Sequence, residues 1–188
     1  MRKKKNHHFE TKVIHAGQKS DPTTGAVMTP IVLASTFEQS SPGVHKGYDY
    51  SRSINPTREA FENCIADLEN GYKGYGFSSG VAAISACVEL LSPGDHIIAM
   101  DDLYGGSVRL FNEIKSLSQG IEISYVDMTD TNNIKNAIKA STKMIFVETP
   151  TNPLLKIADL SKIAKLAKKE KILTVCDNTF ASPFNQKP

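Results

Sequence analysis

Residues 75–100 read YGFSSGVAAISACVELLSPGDHIIAM and contain several structural signals in a row. Residues 75–77 are a short strand candidate, and Ser78, Ser79 and Gly80 form a turn that opens a helix. Apolar side chains then recur at helical spacing, and the apolar run at residues 96–100 is a second strand. A strand, a glycine turn, a helix and a strand in this order are typical of a parallel α/β arrangement.

The alternation of helices and strands continues to the end of the sequence. We expect helices near residues 106–117, 131–140 and 159–170, and strands at residues 121–126, 143–148 and 172–176. Upstream, Asn55 is a good N-cap and Pro56 suits the first position of a helix that ends near Gly71. The pattern predicts an α/β fold, with a largely parallel sheet and helices on both faces.

The last predicted helix has two distinct faces. Its expected buried stripe consists of Leu160, Ile163, Ala164 and Ala167. The lysines of the same helix fall on the other side, so this run of charge is interpreted as a solvated face.

The residues before position 55 show no such period. Prolines and glycines break it repeatedly, at Pro22, Gly25, Pro30, Pro42, Gly43 and Gly47. We therefore expect two regions, an extended N-terminal arm over residues 1–54 and a packed α/β domain over residues 55–188.

Composition narrows the class of protein. The chain has 188 residues, 40% of them hydrophobic, which is enough to bury a sizeable core. Its net charge of +2 gives no reason to expect nucleic acid or an anionic membrane as a partner. No apolar run reaches the roughly 18 residues that span a bilayer, so the cytoplasm is the expected location. The three cysteines match neither a fully paired disulfide framework nor a zinc-site spacing, and no metal site is expected.

Polar residues at the carboxyl ends of the strands are the first candidates for a site, because ligands of open parallel sheets bind there. Ser79 and Gly80 open a helix whose amides and dipole favour a phosphate, although Ser and Gly equally serve as ordinary caps. Tyr104, followed by Gly105 and Gly106, offers a flat stacking surface for a planar ligand, or is a turn with a surface tyrosine.

Two later strand ends also lead into polar residues. Strand 143–148 runs into a loop in which two prolines fix the backbone around Asn152, an amide with donor and acceptor; a purely rigid loop is the alternative. Strand 172–176 runs into Asp177, a carboxylate that needs a partner such as a protonated ring nitrogen if it is buried, or that caps the turn.

Several short motifs follow one another in a fixed order along the chain. They are Ile14-His15-Ala16-Gly17, Tyr48-Asp49-Tyr50-Ser51-Arg52, Asn55-Pro56-Thr57-Arg58, Ser79-Gly80, Asp101-Asp102-Leu103-Tyr104-Gly105-Gly106, Glu148-Thr149-Pro150-Thr151-Asn152-Pro153 and Asp177-Asn178-Thr179-Phe180. Together they resemble the Cys/Met-metabolism family of pyridoxal-phosphate enzymes, which contains cystathionine gamma-synthase, gamma-lyase and beta-lyase. The resemblance covers nearly the whole chain and implies a fold-type I PLP-dependent transferase-like architecture with an incomplete large domain.

The resemblance implies a site for the phosphate of pyridoxal 5′-phosphate. In the family this phosphate lies on the helix N-terminus that matches Ser79, Gly80 and Val81. The residues matching Tyr50 and Arg52 reach it from a neighbouring subunit, so the arm over residues 1–54 is expected to contact that subunit and the site to be completed by a dimer.

The resemblance also implies contacts to the pyridine ring. Tyr104 matches the residue that stacks on the ring, and Asp177 matches the residue that pairs with the ring nitrogen. Asn152 and Thr179 match further contacts on the ring.

The implied activity is elimination or replacement at the beta or gamma carbon of cystathionine or a related sulfur amino acid, by a cytoplasmic homotetramer. The Schiff-base lysine of the family lies beyond the position of Asp177 in a Ser-x-Thr-Lys setting, and the sequence reaches Pro188 without it. We therefore expect this chain to be the N-terminal part of a transsulfuration enzyme, inactive by itself. The alternative is a non-catalytic remnant, or an interaction fragment that assembles with a separate remainder or a full-length relative.

The subtype of reaction depends on fewer residues. Methionine gamma-lyases typically have a cysteine at the position of Gly106, so the glycine favours the cystathionine enzymes. Gamma-synthase, gamma-lyase and beta-lyase share every motif quoted above.

Overall fold

The structure is a computed structural model that describes residues 7–188, and the first six residues of the predicted arm lie outside the described part. The chain divides into two compact units, Met1–Gly76 and Phe77–Pro188. This division falls later than the boundary at residue 54 expected from the sequence, because the helix Pro56–Leu68 packs with the helix Phe9–His15 inside the first unit. The contact of the arm with a neighbouring subunit stays a prediction.

The first unit contains helices and a short antiparallel hairpin. Its elements are α1 (Phe9–His15), β1 (Gln39–Ser41), β2 (Val44–His45) and α2 (Pro56–Leu68). The expectation of an arm without packed elements is therefore wrong at α1, whose seven residues are too few to show a helical period. Contacts with α2 hold it in place: Lys12 Nζ lies 3.5 Å from Asp67 Oδ2. Just after it, a methyl group on Gly17 would lie 2.5 Å from the Ala60 carbonyl oxygen, so only glycine permits this approach.

Helix α2 begins as the sequence predicts. The Asn55 side chain accepts hydrogen bonds from the amides of Thr57, at 2.9 Å, and Arg58, at 3.4 Å, and Pro56 occupies the first helical position. The helix ends at Leu68, a few residues before the expected stop at Gly71.

The second unit is built on a parallel sheet of four strands. They are β3 (His96–Met100), β4 (Glu122–Val126), β5 (Thr142–Glu148) and β6 (Leu173–Asp177), in the spatial order β4-β3-β5-β6. The predicted parallel sheet is confirmed, but the strand expected at residues 75–77 is wrong. There the Gly76 amide donates to Glu62 Oε1 at 2.9 Å, a side-chain acceptor rather than a neighbouring strand.

Helices surround the sheet and bury its centre. They are α3 (Gly80–Val88), α4 (Gly105–Arg109), a π-helical segment (Leu110–Lys115), α5 (Ser116–Gln119), α6 (Thr131–Ala137), α7 (Leu160–Glu170) and α8 (Ser182–Asn185). All five residues of β3 are buried, and since successive side chains alternate between faces, both faces of the sheet are covered. None of the helices within residues 7–188 is long and apolar enough to cross a bilayer.

Helix α7 differs from its predicted stripe at one position. Ile163 and Ala167 are buried and Leu160 packs against the core, but Ala164 is exposed. Leu166 packs on the core instead, because the buried stripe is centred near Ile163 and a residue advances about 100° around the helix. The lysines of this helix are exposed, as expected.

The parallel strands bring several loops together at one edge of the sheet. The segments that follow β3, β5 and β6 all leave from the carboxyl ends of strands. The sequence placed its candidate polar residues on these segments.

Candidate active site

A cleft of about 330 Å³ lies in the second unit, within the range of small-molecule sites. It is lined by Ser79, Gly80, Val81, Ile84, Tyr104, Glu148, Pro150, Asn152, Asp177, Thr179 and Phe180. Every site residue predicted in residues 77–188 is among them. The structure therefore brings together side chains that are up to a hundred positions apart in the sequence.

One wall of the cleft is the N-terminus of α3. Ser79 is its N-cap, and its Oγ accepts a hydrogen bond from the Ala82 amide at 3.1 Å. The amides of Gly80 and Val81 belong to the first helical turn, where no intrahelical acceptor exists. A methyl group on Gly80 would meet no atom within 4 Å, so there is open space beside these amides. Free amides and the positive end of the helix dipole make this wall suitable for an anion.

Tyr104 supplies an aromatic surface, and Gly106 makes room for its ring. The Tyr104 side chain is 47% exposed and lines the cleft. A methyl group at Gly106 would lie 3.0 Å from Tyr104 Cδ1 and closer still to Cε1. Any side chain at position 106 would therefore displace the ring, so the observed position of the Tyr104 ring depends on glycine at position 106.

Asp177 is held by the residue two positions after it. Asp177 Oδ1 accepts hydrogen bonds from the Thr179 amide at 3.0 Å and from the Thr179 hydroxyl at 2.5 Å. These bonds fix the carboxylate and use only Oδ1. Within residues 7–188 no hydrogen bond is made to Oδ2, which therefore remains for a donor on a ligand, such as a protonated ring nitrogen.

Asn152 lies on a loop that is anchored on both sides. Buried Asp102 accepts hydrogen bonds through Oδ2 from the Thr151 hydroxyl and, at 2.9 Å, from the Leu154 amide. Two cis peptide bonds, before Pro150 and Pro153, shape the same loop.

Lys156 anchors the far end of this loop to the sheet. Its Nζ lies 2.8 Å from Oδ2 of Asp101, which follows β3, and 3.0 Å from Oδ2 of Asp127, which follows β4. Hydrogen bonds from the Thr129 hydroxyl and amide, together with Lys156, lower the pKa of Asp127 to about 2. The loop that presents Asn152 is thus tied down by carboxylates from two neighbouring strand ends.

Among the polar side chains that line the cleft, Glu148 is the one that sequence reasoning missed. It belongs to one of the family motifs but was assigned no role, yet it is buried and accepts a hydrogen bond from the Tyr104 amide at 3.0 Å. Burial raises the pKa of its carboxyl group, an effect opposed by the hydrogen bond from the Tyr104 amide. A signal was present in the sequence, since Glu148 and Asp177 are the polar ends of two neighbouring apolar strands.

Tyr50 and Arg52 belong to the first unit and are not among the residues that line the cleft. The Arg52 guanidinium lies 5.0 Å from the centroid of the Tyr50 ring, within cation–π distance. Arg58 donates hydrogen bonds to the carbonyl oxygens of Ser51, at 3.0 Å, and Ser53, at 2.7 Å, on either side of Arg52. These contacts fix the turn that presents Tyr50 and Arg52.

Comparison with known proteins assigns the family. The model of the Cys/Met metabolism PLP-dependent enzymes matches residues 10–188 of the chain. The chain belongs to this family. The resemblance inferred from the motifs, and the pyridoxal-phosphate dependence that goes with it, are confirmed at the level of the family.

Individual family members are similar to the chain along nearly all of its length. Cystathionine beta-lyase of Coxiella burnetii is 59% identical over 184 residues, which cover 98% of this chain and 48% of that protein. Cystathionine gamma-lyase of Bacillus subtilis is 47% identical over 179 residues, which cover 95% of this chain and 47% of that protein. The chain spans about half the length of the curated relatives it matches.

Solved structures support the same fold. The crystal structure of cystathionine gamma-lyase from Lactobacillus plantarum complexed with L-serine is 49% identical and superimposes with a TM-score of 0.94. The match covers 97% of this chain and 47% of that chain. The predicted fold-type I architecture is confirmed.

The cleft has the chemistry that the family's cofactor needs. The first turn of α3 offers amide donors for a phosphate, Tyr104 offers a flat ring face, and Asp177 offers a free carboxylate oxygen for a ring nitrogen. The lining residues include two carboxylates and no cationic side chain. The residues present therefore fit pyridoxal phosphate. The partial positive charge of the backbone amides is the only positive charge that the lining residues provide.

Proposed function

We propose that this cleft binds pyridoxal 5′-phosphate. The observation that supports it most is that the α3 N-terminus, Tyr104 and Asp177 line one cleft in a chain of a pyridoxal-phosphate-dependent family. The amides of Gly80 and Val81 receive the phosphate, and Ser79 caps the helix beside it.

Tyr104, Asp177, Asn152 and Thr179 act on the ring of the cofactor. Asp177 donates no proton itself; its carboxylate accepts the hydrogen bond of the ring nitrogen and keeps that nitrogen protonated. Thr179 holds Asp177 in place through Oδ1. Tyr104 covers the ring and Asn152 contacts its edge. When bound, pyridoxal phosphate withdraws electrons from the amino acid, which allows bonds at its beta or gamma carbon to break.

We further propose that Tyr50 and Arg52 complete the phosphate site from a neighbouring subunit. The charge of the cleft supports this arrangement, since a phosphate dianion in a cleft that also contains Glu148 and Asp177 needs a cation and the lining residues contain none. The guanidinium of Arg52 suits phosphate because its planar fork can bond two oxygens. The active assembly is then a dimer at least, and a cytoplasmic tetramer in the intact enzyme.

The proposed reaction of the whole protein is elimination or replacement at the beta or gamma carbon of cystathionine or a related sulfur amino acid. The names of the similar proteins, cystathionine beta-lyase and gamma-lyase, support this substrate class. Glycine at position 106, which favours the cystathionine enzymes, is also the residue for which the observed position of the Tyr104 ring leaves room.

Cofactor binding by the intact protein tests the site. We expect wild type to bind pyridoxal phosphate with a visible absorbance band. We expect Asp177→Asn to bind about 10- to 100-fold more weakly and to turn over cystathionine more slowly, because a charge-assisted hydrogen bond is worth about 1.5–3 kcal/mol. Asp159→Asn is the matched control, since Asp159 is the N-cap of α7 and asparagine caps equally well. Equal binding by the two variants, or no binding by wild type, would contradict the proposal.

Mixing two variants of reduced activity tests the shared site. An Arg52→Ala subunit retains its own Asp177, and an Asp177→Asn subunit retains an intact Arg52. Random pairing forms one complete site in each mixed dimer, so a quarter of all sites become wild type and activity should rise by about that fraction above the level of either variant alone. If Arg52 acts within its own subunit, the mixture shows only the average activity of the two variants.

A further inference from the structure

Gln186 lies where the chain returns to the end of the sheet after β6. Asp177 is the last residue of β6, and the short helix α8 follows a few residues later. The Ser182 amide donates to the Asn178 carbonyl oxygen at 3.1 Å, and the Gln186 amide donates to the Ser182 carbonyl oxygen, also at 3.1 Å. These two bonds bring Gln186 back to Asn178, which stands between Asp177 and Thr179 in the sequence.

The side chains of Asn178 and Gln186 are bonded to each other in a defined orientation. Asn178 Nδ2 donates to the main-chain carbonyl oxygen of Gln186 at 2.9 Å, and Gln186 Nε2 donates to Asn178 Oδ1 at 2.8 Å. A main-chain carbonyl oxygen can only accept, so the first bond fixes which side of the Asn178 amide is the NH₂ group. Its Oδ1 is then turned towards the NH₂ group of Gln186.

The same NH₂ group of Gln186 also reaches the neighbouring strand end. Nε2 donates to the carbonyl oxygen of Thr149 at 2.8 Å. Thr149 directly follows β5 and is fully buried, so its carbonyl oxygen requires a protein donor. The chain continues from Thr149 to Pro150 and Asn152, which line the cleft. One NH₂ group thus joins the loop after β5 to the loop after β6.

Both of these loops form walls of the cleft, whereas Gln186 is not among the lining residues. The loop after β5 contributes Asn152, and the segment after β6 begins with Asp177 and Thr179. These are residues that the proposed function places on the cofactor ring. Gln186 can therefore act on a bound cofactor only through the backbone of the two loops.

We propose that Gln186 is a positioning residue that sets the distance between Asn152 and Asp177, and through them the place of the cofactor ring. This inference rests on the proposed function of the cleft. The role requires an amide, because both N–H groups of Gln186 Nε2 are used. A carboxylate at this position has no donor and would set its oxygens against two acceptor oxygens.

The test compares Gln186→Glu with wild type in the intact protein titrated with pyridoxal phosphate. Asn185→Asp is the matched control, because it makes the same chemical change at the preceding residue. Asn185 Nδ2 donates to the Ala181 carbonyl oxygen at 3.0 Å, a bond that stays within the segment after β6. We expect Gln186→Glu to bind the cofactor about tenfold more weakly than Asn185→Asp, since it loses the bonds to both loops.

The circular dichroism of the bound cofactor in its visible band is the readout that separates positioning from stability. It reports the orientation of the ring, which a general loss of stability would leave unchanged. We expect an altered signal in Gln186→Glu and the wild-type signal in Asn185→Asp.

Amide hydrogen exchange of the apoprotein gives a readout that needs no cofactor. The Thr149 amide donates to the Asp177 carbonyl oxygen at 3.4 Å, and the Thr179 amide donates to Asp177 Oδ1 at 3.0 Å. Both amides should exchange faster in Gln186→Glu and at the wild-type rate in Asn185→Asp. If glutamate is not tolerated, Gln186→Met removes both donors without adding charge, and the same two amides should exchange faster.

The outcomes separate the two proposals. If Gln186→Glu matches Asn185→Asp in affinity, circular dichroism and exchange, and wild type binds the cofactor, the role of Gln186 is overturned and the proposed function stands. Absence of cofactor binding by wild type overturns the proposed function and the inference with it.

Discussion

Replacing Asp102 by alanine should loosen the loop that presents Asn152. Asp102 is 9% exposed, and its Oδ2 accepts the Thr151 hydroxyl and the Leu154 amide. A hydrogen bond to a charged group contributes about 1.5–3 kcal/mol, and its loss costs an amount near the upper end where the donor stays buried without an acceptor. Thr151 is fully buried, whereas Leu154 is exposed and its amide can be rehydrated. We therefore expect Asp102→Ala to lower the free energy of unfolding by about 3–4 kcal/mol.

Thermal unfolding measures this loss directly. For a domain of this size about 1 kcal/mol corresponds to 2–4 °C, so the midpoint should fall by about 10 °C. The neighbouring Asp101→Ala is the matched control, because Asp101 is partly exposed and its ion pair with Lys156 contributes about 1 kcal/mol or less. Equal midpoints for the two variants would refute the assignment of Asp102 as the anchor of the loop.

Three further predictions follow from single contacts. Gly106→Ala should displace the Tyr104 ring and weaken cofactor binding about tenfold with little change in unfolding midpoint, as measured by equilibrium titration. Arg58→Lys should weaken cofactor retention in the oligomer, because an ammonium cannot bond the Ser51 and Ser53 carbonyls together, and retention after dialysis should be lower than in wild type. Burial lowers the pKa of His96 in the folded protein below its ordinary 6.5, so the imidazole binds a proton more readily in the unfolded chain. The folded protein therefore keeps its full stability above about pH 6.5 and loses part of it as the pH falls toward the folded pKa of His96. The urea midpoint should drop between about pH 8 and pH 5, and it should drop less steeply in His96→Gln.

Local signals made much of the fold predictable. The start of α2 is encoded in adjacent residues, Asn55 and Pro56, and the structure uses both. The strands β3 and β5 contain continuous apolar runs, at residues 97–100 and 144–147, as expected for strands covered on both faces. The strand expected at residues 75–77 failed because a glutamate on α2, Glu62, bonds the backbone at Gly76, which is a tertiary contact that no local pattern contains.

The site was predictable to the extent that it lies at strand ends. That rule indicated Tyr104, Asn152 and Asp177, whereas Ser79 was predicted correctly as the start of a helix; all four line one cleft. The position of Glu148 beside Asp177 depends on which strands are neighbours and on the register between β5 and β6, which no local sequence pattern indicates.

Resemblance to the family predicted site residues that neither the local helix and strand signals nor the strand-end rule could indicate. Tyr50 and Arg52 lie in the first unit, and their proposed role depends on a second copy of the chain. No spacing in a single chain indicates a residue that acts in a neighbouring subunit.

A crystal structure of the intact protein with pyridoxal phosphate tests the central claim most directly. The account predicts phosphate oxygens about 3 Å from the amides of Gly80 and Val81, and the ring nitrogen at a similar distance from Asp177 Oδ2. A cofactor bound outside this cleft, or with its ring nitrogen away from Asp177, would contradict the account.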